Sequence, residues 1–270
     1  MSLCASGNVL DGTVYADRGI NRTGGVSVSV PVTNILDFGE SITVTAQDAE
    51  RKVLGLEVDG EFLETNSFTV QAPDFASAKM STVKIVANTN WYVDAEKGVD
   101  SNKGWSEDVP MFTLAEAMKN VEPGDVVVAL PGTYKEGSMI QDSAVIKDSP
   151  APALRSRVVV PEGVSLVSRD GAEATVIKGE HMEGSKYGAD AMRCVYLGKG
   201  ARLCGFTVTG GATHSDVRVL NDTTSGAGIF CAEDAMATIT SPLPQTLVAD
   251  CIISNNVAKY GGGGAYGSAD

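Results

Sequence analysis

The sequence predicts an all-β chain in two parts, a small strand domain over residues 8–88 and a longer stack of short strands over 89–270. Three observations lead there. Thirty glycines punctuate Val, Thr and Ile runs along the 270 residues, the pattern of short strands joined by tight turns. A single short helical signal stands at 113–121 and is followed by an apolar run at 126–130. From Arg157 onward the chain repeats itself loosely, which is the mark of a solenoid.

The first part shows period-two alternation, Val-Ser-Val-Ser-Val at 26–30 and Ser-Ile-Thr-Val-Thr at 41–45, which half-buried strands explain. Further strands are expected at 53–58, 67–71 and 81–87, with a turn at Asp59-Gly60. Together they make a small β domain of five or six strands.

The second part opens with Trp91. Thr113 with Glu116 three residues on is a capping box, and Leu114, Ala117, Met118 and Val121 form one apolar helix face. Pro123-Gly124 stops that helix, and the run at 126–130 reads as a buried strand. Beyond Arg157, Val195-Tyr196, Ile229-Phe230 and Ala265-Tyr266 superpose at offsets of 34 and 36 residues, and 205–211 superposes on 250–256 at an offset of 45. Unequal offsets mean strands of constant length with loops of unequal length, expected to protrude at 179–192, 212–227 and 233–245. In one register, Tyr196, Phe230 and Tyr266 would stack, and Asn255 or Asn256 would take a left-handed bend.

The stretches YVDA at 92–95, PMFTLAEA at 110–117 and PGDVVVALPGTY at 123–134 resemble the entry segment of bacterial right-handed parallel β-helix proteins, a group that includes pectate-lyase-like folds. The resemblance implies a right-handed parallel β-helix whose open end is covered by an α-helical N-terminal cap. LVADCIISNNVAKYGGGGAYG at 247–267 is similar to the repeats of polymorphic outer-membrane proteins. GGVSVSV, FGESITVTAQD, LGLEVDGEF, NSFTVQAP and TVKIVAN, in that order, resemble the small β repeat module of internalin-B type, with an immunoglobulin-like sandwich as the alternative. No C-terminal cap is readable before Asp270, so a longer protein with further coils is expected.

A formal charge of −13 and a pI near 4.6 speak against nucleic acid or an anionic membrane surface as partner. Glycans, cations and proteins are left. No run of 18 apolar residues exists, so no membrane span is expected. Met1-Ser2-Leu3 reads as a non-native start, and Cys4 as the remnant of a lipoprotein anchor is one reading. The other cysteines, Cys194, Cys204, Cys231 and Cys251, lie in or beside apolar strands and read as buried thiols.

Candidate sites are few. Trp91 and Trp105 flank the loop at 94–104, where exposed rings would suit a sugar, although packing explains them too. Asp94, Glu96, Asp100 and Asn102 place four oxygen-bearing side chains within nine residues, so calcium, with Asp94, Asp100 and Asn102 as ligands, is the one cofactor the chain could take. The spacing departs from an EF-hand, and in the resembling group such a turn organises the cap by hydrogen bonds. Arg169, Lys178 and Arg193 are the bases nearest the expected strands, but no two carboxylates recur at a spacing that places them on one bond. His181 and His214 read as solvated loop residues without an identifiable partner. The expected protein is therefore a secreted or outer-membrane-attached bacterial scaffold with a structural or adhesive role toward a glycan or surface protein, the alternative being a polysaccharide lyase or glycoside hydrolase.

Overall fold

A computed structural model describes residues 2–6, 14–17, 26–29, 41–48, 52–58, 60–71, 80–140, 154–186, 188–214, 223–232 and 246–267. The chain divides into two units, Met1–Asn88 and Thr89–Asp270.

In the first unit, strands β1 (Ser2–Ser6), β2 (Val14–Asp17), β3 (Val26–Ser29), β4 (Ser41–Asp48), β5 (Val53–Val58), β6 (Glu61–Leu63), β7 (Ser67–Gln71) and β8 (Met80–Ala87) form two antiparallel sheets, β2-β1-β8-β5-β6 and β3-β4-β7. Among the described residues eight strands stand where five or six are expected. The additions β1 and β2 are four or five residues long and too short to show a period. Cys4 lies in the middle of β1, opposite Tyr15 on one side and Thr82 on the other. The expected turn falls between Val58 and Glu61, which pair directly, and Gly60 there has φ 90°, although Asp59 lies outside the described residues.

The second unit contains β9 (Asn90–Val93), α1 (Leu114–Ala117), β10 (Val126–Ala129), β11 (Gly132–Tyr134), β12 (Met139–Ile140), β13 (Arg155–Val160), β14 (Ser165–Ser168), β15 (Thr175–Lys178), β16 (Met192–Leu197), β17 (Arg202–Cys204), β18 (Thr207–Thr209), β19 (Ile229–Cys231), β20 (Leu247–Ala249), β21 (Ile252–Ser254) and β22 (Ala265–Tyr266). They build three sheets: β9-β10-β14-β17-β20, β11-β15-β18-β21 and β12-β13-β16-β19-β22. From β13 onward the chain visits the three in rotation, and each circuit pairs parallel with the one before.

The expected fold class, an all-β right-handed parallel β-helix with an α-helical N-terminal cap after a small β domain, is corrected here. The strands are distributed over five separate sheets of mixed pairing, and even the third sheet of the second unit is mixed, because β12 runs antiparallel to β13. The cap is one helical turn of four residues, not the two turns that the apolar face at 114–121 implies. The reason is local. Beyond Ala117 the backbone closes i to i−3 bonds, Lys119 N–H to Glu116 O and Asn120 N–H to Ala117 O, and Pro123 with Gly124 at φ 95° ends the segment. The capping box is half formed. Thr113 Oγ1 accepts from Glu116 N–H, but Thr113 N–H goes to Asp100 Oδ1, the place Glu116 would take, while the Glu116 carboxylate pairs with Lys119.

Register explains the core of this unit. Trp91, Val127, Leu166, Leu203 and Val248 are successive partners in the first sheet, Tyr134, Ile177, Val208 and Ile253 in the second, and Val158, Val195, Ile229 and Ala265 in the third. One apolar position per circuit therefore builds a row, and most members of these rows are buried. The corner after the first sheet puts Gly205 at φ 79° beneath Asp250 at φ 52°; the one after the second puts Gly210 at φ 71° beneath Asn255 at φ 54°. Among the described residues no helix is long and apolar enough to cross a membrane.

Candidate functional site

The connections of the second unit are unequal in a way that singles out the third sheet. Between its first and second sheets the chain uses two residues at 130–131, 205–206 and 250–251, and six at 169–174. From β15 onward the passages from the second sheet into the third are longer, at 179–191, 210–228 and 255–264, and one exit from the third runs from 232 to 246. Loop length variation is thus concentrated around β13, β16, β19 and β22.

On that sheet, parallel register sets Tyr196 beside Phe230 and Phe230 beside Tyr266. The rings stack with centroids 5.3 and 5.6 Å apart and interplanar angles of 12° and 28°. Strand alternation puts them on the face opposite Val195, Leu197 and Ile229, which belong to the core. Arg193 reaches over this ladder, its guanidinium carbon 4.9 Å from the Phe230 centroid and 5.8 Å from that of Tyr196. Its Nε donates to Gly226 O at 2.8 Å and its Nη2 to Ser225 O at 2.9 Å, all within a buried setting. One cation thereby ties the end of the 210–228 connection to the aromatic row.

The described roots of that connection are packed, which corrects the expectation of a fully protruding loop at 212–227. Ala212, Thr213 and His214 on one side and Thr223, Thr224 and Ser225 on the other are buried, and His214 N–H donates to Thr223 O. His214 is therefore not the solvated residue expected of it; the two backbone segments meet and enclose it. His181 is half-buried. Residues 215–222 and 233–245, with Asp216, Asp222 and Asp234, lie outside the described residues.

The residues singled out from sequence fall elsewhere. Trp91 is fully buried in the core and donates Nε1–H to Asp125 Oδ2, so its expected role as an exposed sugar platform is corrected. Trp105 is half-buried and packs against the same core. Sequence could not separate the two readings because an indole needs only one buried acceptor to sit inside, and Asp125 is 34 residues away. Asp94 Oδ1 accepts from the N–H groups of Glu96 and Lys97. Asp100 Oδ1 accepts from the N–H groups of Phe112 and Thr113, its Oδ2 accepts from Thr113 Oγ1, and Asn102 Nδ2 donates to Pro110 O. Asp94 closes a local turn while Asp100 and Asn102 tie the loop to residues 110–113, and among the described residues no group of three His, Cys, Asp or Glu is arranged to hold a metal ion. Adding calcium is accordingly expected to leave the melting temperature unchanged, whereas Asp100→Ala, which orphans three donors, is expected to cost about 2 kcal/mol in urea unfolding. A calcium-dependent rise in melting temperature would show instead that the ion displaces those bonds.

The three bases do not converge. Arg169 is exposed and paired with Glu107 and Asp170, Lys178 is exposed, and Arg193 is buried. Arg157, which sequence did not single out, is buried with Nε on Lys178 O and its Nη1 on Gly137 O, and burial lowers its pKa. It clamps residues around 137 to the neighbouring circuit. The signal available for it was only a charge inside the apolar run RSRVVV.

Cys194, Cys204, Cys231 and Cys251 are free thiols. Burial pushes Cys194 up to about 12 and Cys231 up to about 11, and Cys194 Sγ donates to Thr209 O. At pH 8, iodoacetamide is expected to label half-exposed Cys204 and Cys251 in the native protein, and Cys194 and Cys231 only after unfolding. The linkage has one sign. The unfolded thiol ionises near its ordinary 9.0 while the folded one stays protonated, so stability is full below that value and falls as pH rises from about 9 toward 12. Peptide mapping after timed labelling, with unfolding curves at several alkaline pH values, checks both.

Compared with protein-family models, characterised proteins and solved structures, the chain matches none.

Proposed function

We propose that the second unit is a structural, adhesive scaffold of a secreted or surface-attached bacterial protein, offering the connections around its third sheet to a glycan or to another surface protein. The observation that carries this is the fixing of the 210–228 connection by Arg193 onto the Tyr196–Phe230–Tyr266 ladder. Variable segments rooted on a rigid, in-register wall are the arrangement by which recognition loops are usually held. The engagement of Arg169 by Glu107 and Asp170 and of Arg193 by backbone carbonyls supports binding over bond cleavage, since a catalytic base must be free to meet the reacting bond. The strong negative charge of the chain fits neutral glycans and proteins better than polyanions.

The test replaces residues 215–222 with a glycine-serine segment of equal length and compares both proteins on a glycan array and against polysaccharides, reading unsaturated products and new reducing ends. Binding by the parent that the replacement abolishes, without product, is the expected result. Product formation would favour a lyase or hydrolase, and binding indifferent to the replacement would remove the role given to this connection.

A further inference from the structure

A second place in the same unit has the chemistry of a small binding site. A shallow cavity of about 80 Å³ lies where the loop from β9 meets β11, lined by Ala95, Phe112, Thr133, Tyr134, Lys135 and Glu136. We propose that it seats one ring of a neutral sugar. This rests on the reading of the chain as a glycan binder but uses none of the residues of the third sheet.

The cavity has rigid apolar sides. Tyr134 is buried, and its hydroxyl lies 2.7 Å from Val93 O and 2.8 Å from Leu130 O, so the side chain is fixed inside and forms the floor of the cavity. Burial and the nearby Asp94 carboxylate push its pKa up, which keeps that hydroxyl a donor at any physiological pH. Phe112 is half-buried, and its backbone N–H is held by Asp100 at 2.9 Å, which sets where the ring starts. Ala95 packs against Gly132, where a Cβ would lie 3.3 Å from the alanine methyl. The half-buried Phe112 ring and the half-buried Ala95 methyl, set over this fixed floor, suit the C–H face of a pyranose.

The polar lining is exposed, with the Glu136 carboxylate attracted to the Arg157 guanidinium. Thr133, Lys135 and Glu136 are exposed, and none of their side chains hydrogen-bonds another described residue. They supply an ammonium donor, a carboxylate acceptor and a hydroxyl that does both, with no net charge. A sugar hydroxyl is itself donor and acceptor, so this balanced set fits a neutral ring. A phosphate or a uronic acid would need an excess of cations that the lining lacks. Among the described residues β11 has β15 as its one strand neighbour and so stands at the edge of its sheet. The volume lies well below the roughly 300 Å³ at which sites for drug-sized ligands begin, which limits the occupant to a single ring seated in part.

The probes are methyl glucoside, methyl galactoside and methyl mannoside, with methyl glucuronide as the charged comparison, titrated into isotope-labelled protein while backbone amide shifts are followed. Saturable shifts at residues 95, 112, 133, 135 and 136 with a millimolar dissociation constant for at least one neutral glycoside are the expected result, weakened about tenfold by Phe112→Ala and by Glu136→Gln. Thr133→Val, on the exposed edge, is a third variant that leaves the buried Tyr134 contacts in place. No saturable shifts for any neutral glycoside, shifts equal in parent and variants, or a glucuronide that binds more tightly than every neutral glycoside would each overturn the proposal. The 215–222 replacement separates it from the scaffold reading. Shifts that survive the replacement while the parent's array binding disappears support both sites; array binding by the parent without these shifts removes the cavity alone; shifts in a parent that shows no array binding remove the connection alone.

Discussion

Arg193→Met is expected to lower the unfolding free energy by about 3 kcal/mol, read as a shift of the urea midpoint at unchanged slope. The substitution keeps the length and apolar stem of the side chain but leaves Ser225 O and Gly226 O without their donors in a buried setting, and it takes the cation from above Tyr196 and Phe230. Arg193→Lys retains the charge without the planar fork, so it is expected to recover about half of the loss. The same pair reports on the scaffold. If Arg193 ties the 210–228 connection to the wall, the methionine variant should show faster amide exchange at 223–228 than at the core rows of the first sheet. A methionine variant as stable as the parent would mean that the guanidinium only offsets its own desolvation, and would remove its role as a tie.

Gly211→Ala is expected to be at least as damaging, about 3 kcal/mol or more, with expression in soluble form as a second readout. A Cβ at this position would lie 2.1 Å from Ala227 O and 2.9 Å from Cys194 Sγ. The first of these is backbone that accepts from Cys194 N–H and cannot turn away. Gly179 faces the same restriction from the other side, with 2.5 Å between its notional Cβ and Gly211 Cα. Two circuits therefore touch backbone to backbone around Cys194, where Asn256 closes the gap by accepting from Gly211 N–H at 2.8 Å and donating to Val208 O at 2.9 Å. Gly264→Ala is the control. Its nearest neighbour would be Ile253 Cγ2 at 3.3 Å and its φ is not positive, so a change well under 1 kcal/mol is expected. Similar losses at both positions would show that glycine is needed for something other than close approach.

The pairing of strands was readable wherever the repeat was. Val195-Tyr196, Ile229-Phe230 and Ala265-Tyr266 align in sequence at 34 and 36 residues and lie side by side in the third sheet, and 207–209 lies beside 252–254 at the offset of 45. A position that must be apolar or aromatic in every circuit leaves a periodic trace, because each row is filled one residue per turn of the chain. The sheets as wholes were less legible. The antiparallel return of β12 onto β13 and the strands β1 and β2 involve two to five residues, too few for any period.

The candidate sites were hardest to read, and for one reason. Whether Trp91 is a platform or a core residue depends on Asp125, whether Asp100 is a ligand or a cap depends on Phe112 and Thr113, and whether His214 is solvated depends on Thr223. Each of these is a choice between two partners that the residue's own neighbours in sequence do not reveal.

Strand periodicity, the N-cap at Thr113, a left-handed bend at Asn255 or Asn256 and the excess of negative charge follow from the chain alone, because they depend on a residue's own torsional freedom or charge and on neighbours within a few positions, whereas the choice of Asn255 for the bend came with the structure. The burial of Trp91, the close approach at Gly179 and Gly211, the reach of Arg193 to Ser225 and Gly226, and the gathering of Ala95, Phe112 and Glu136 around one cavity were decided only when distant segments packed, since each requires groups that chain connectivity leaves far apart.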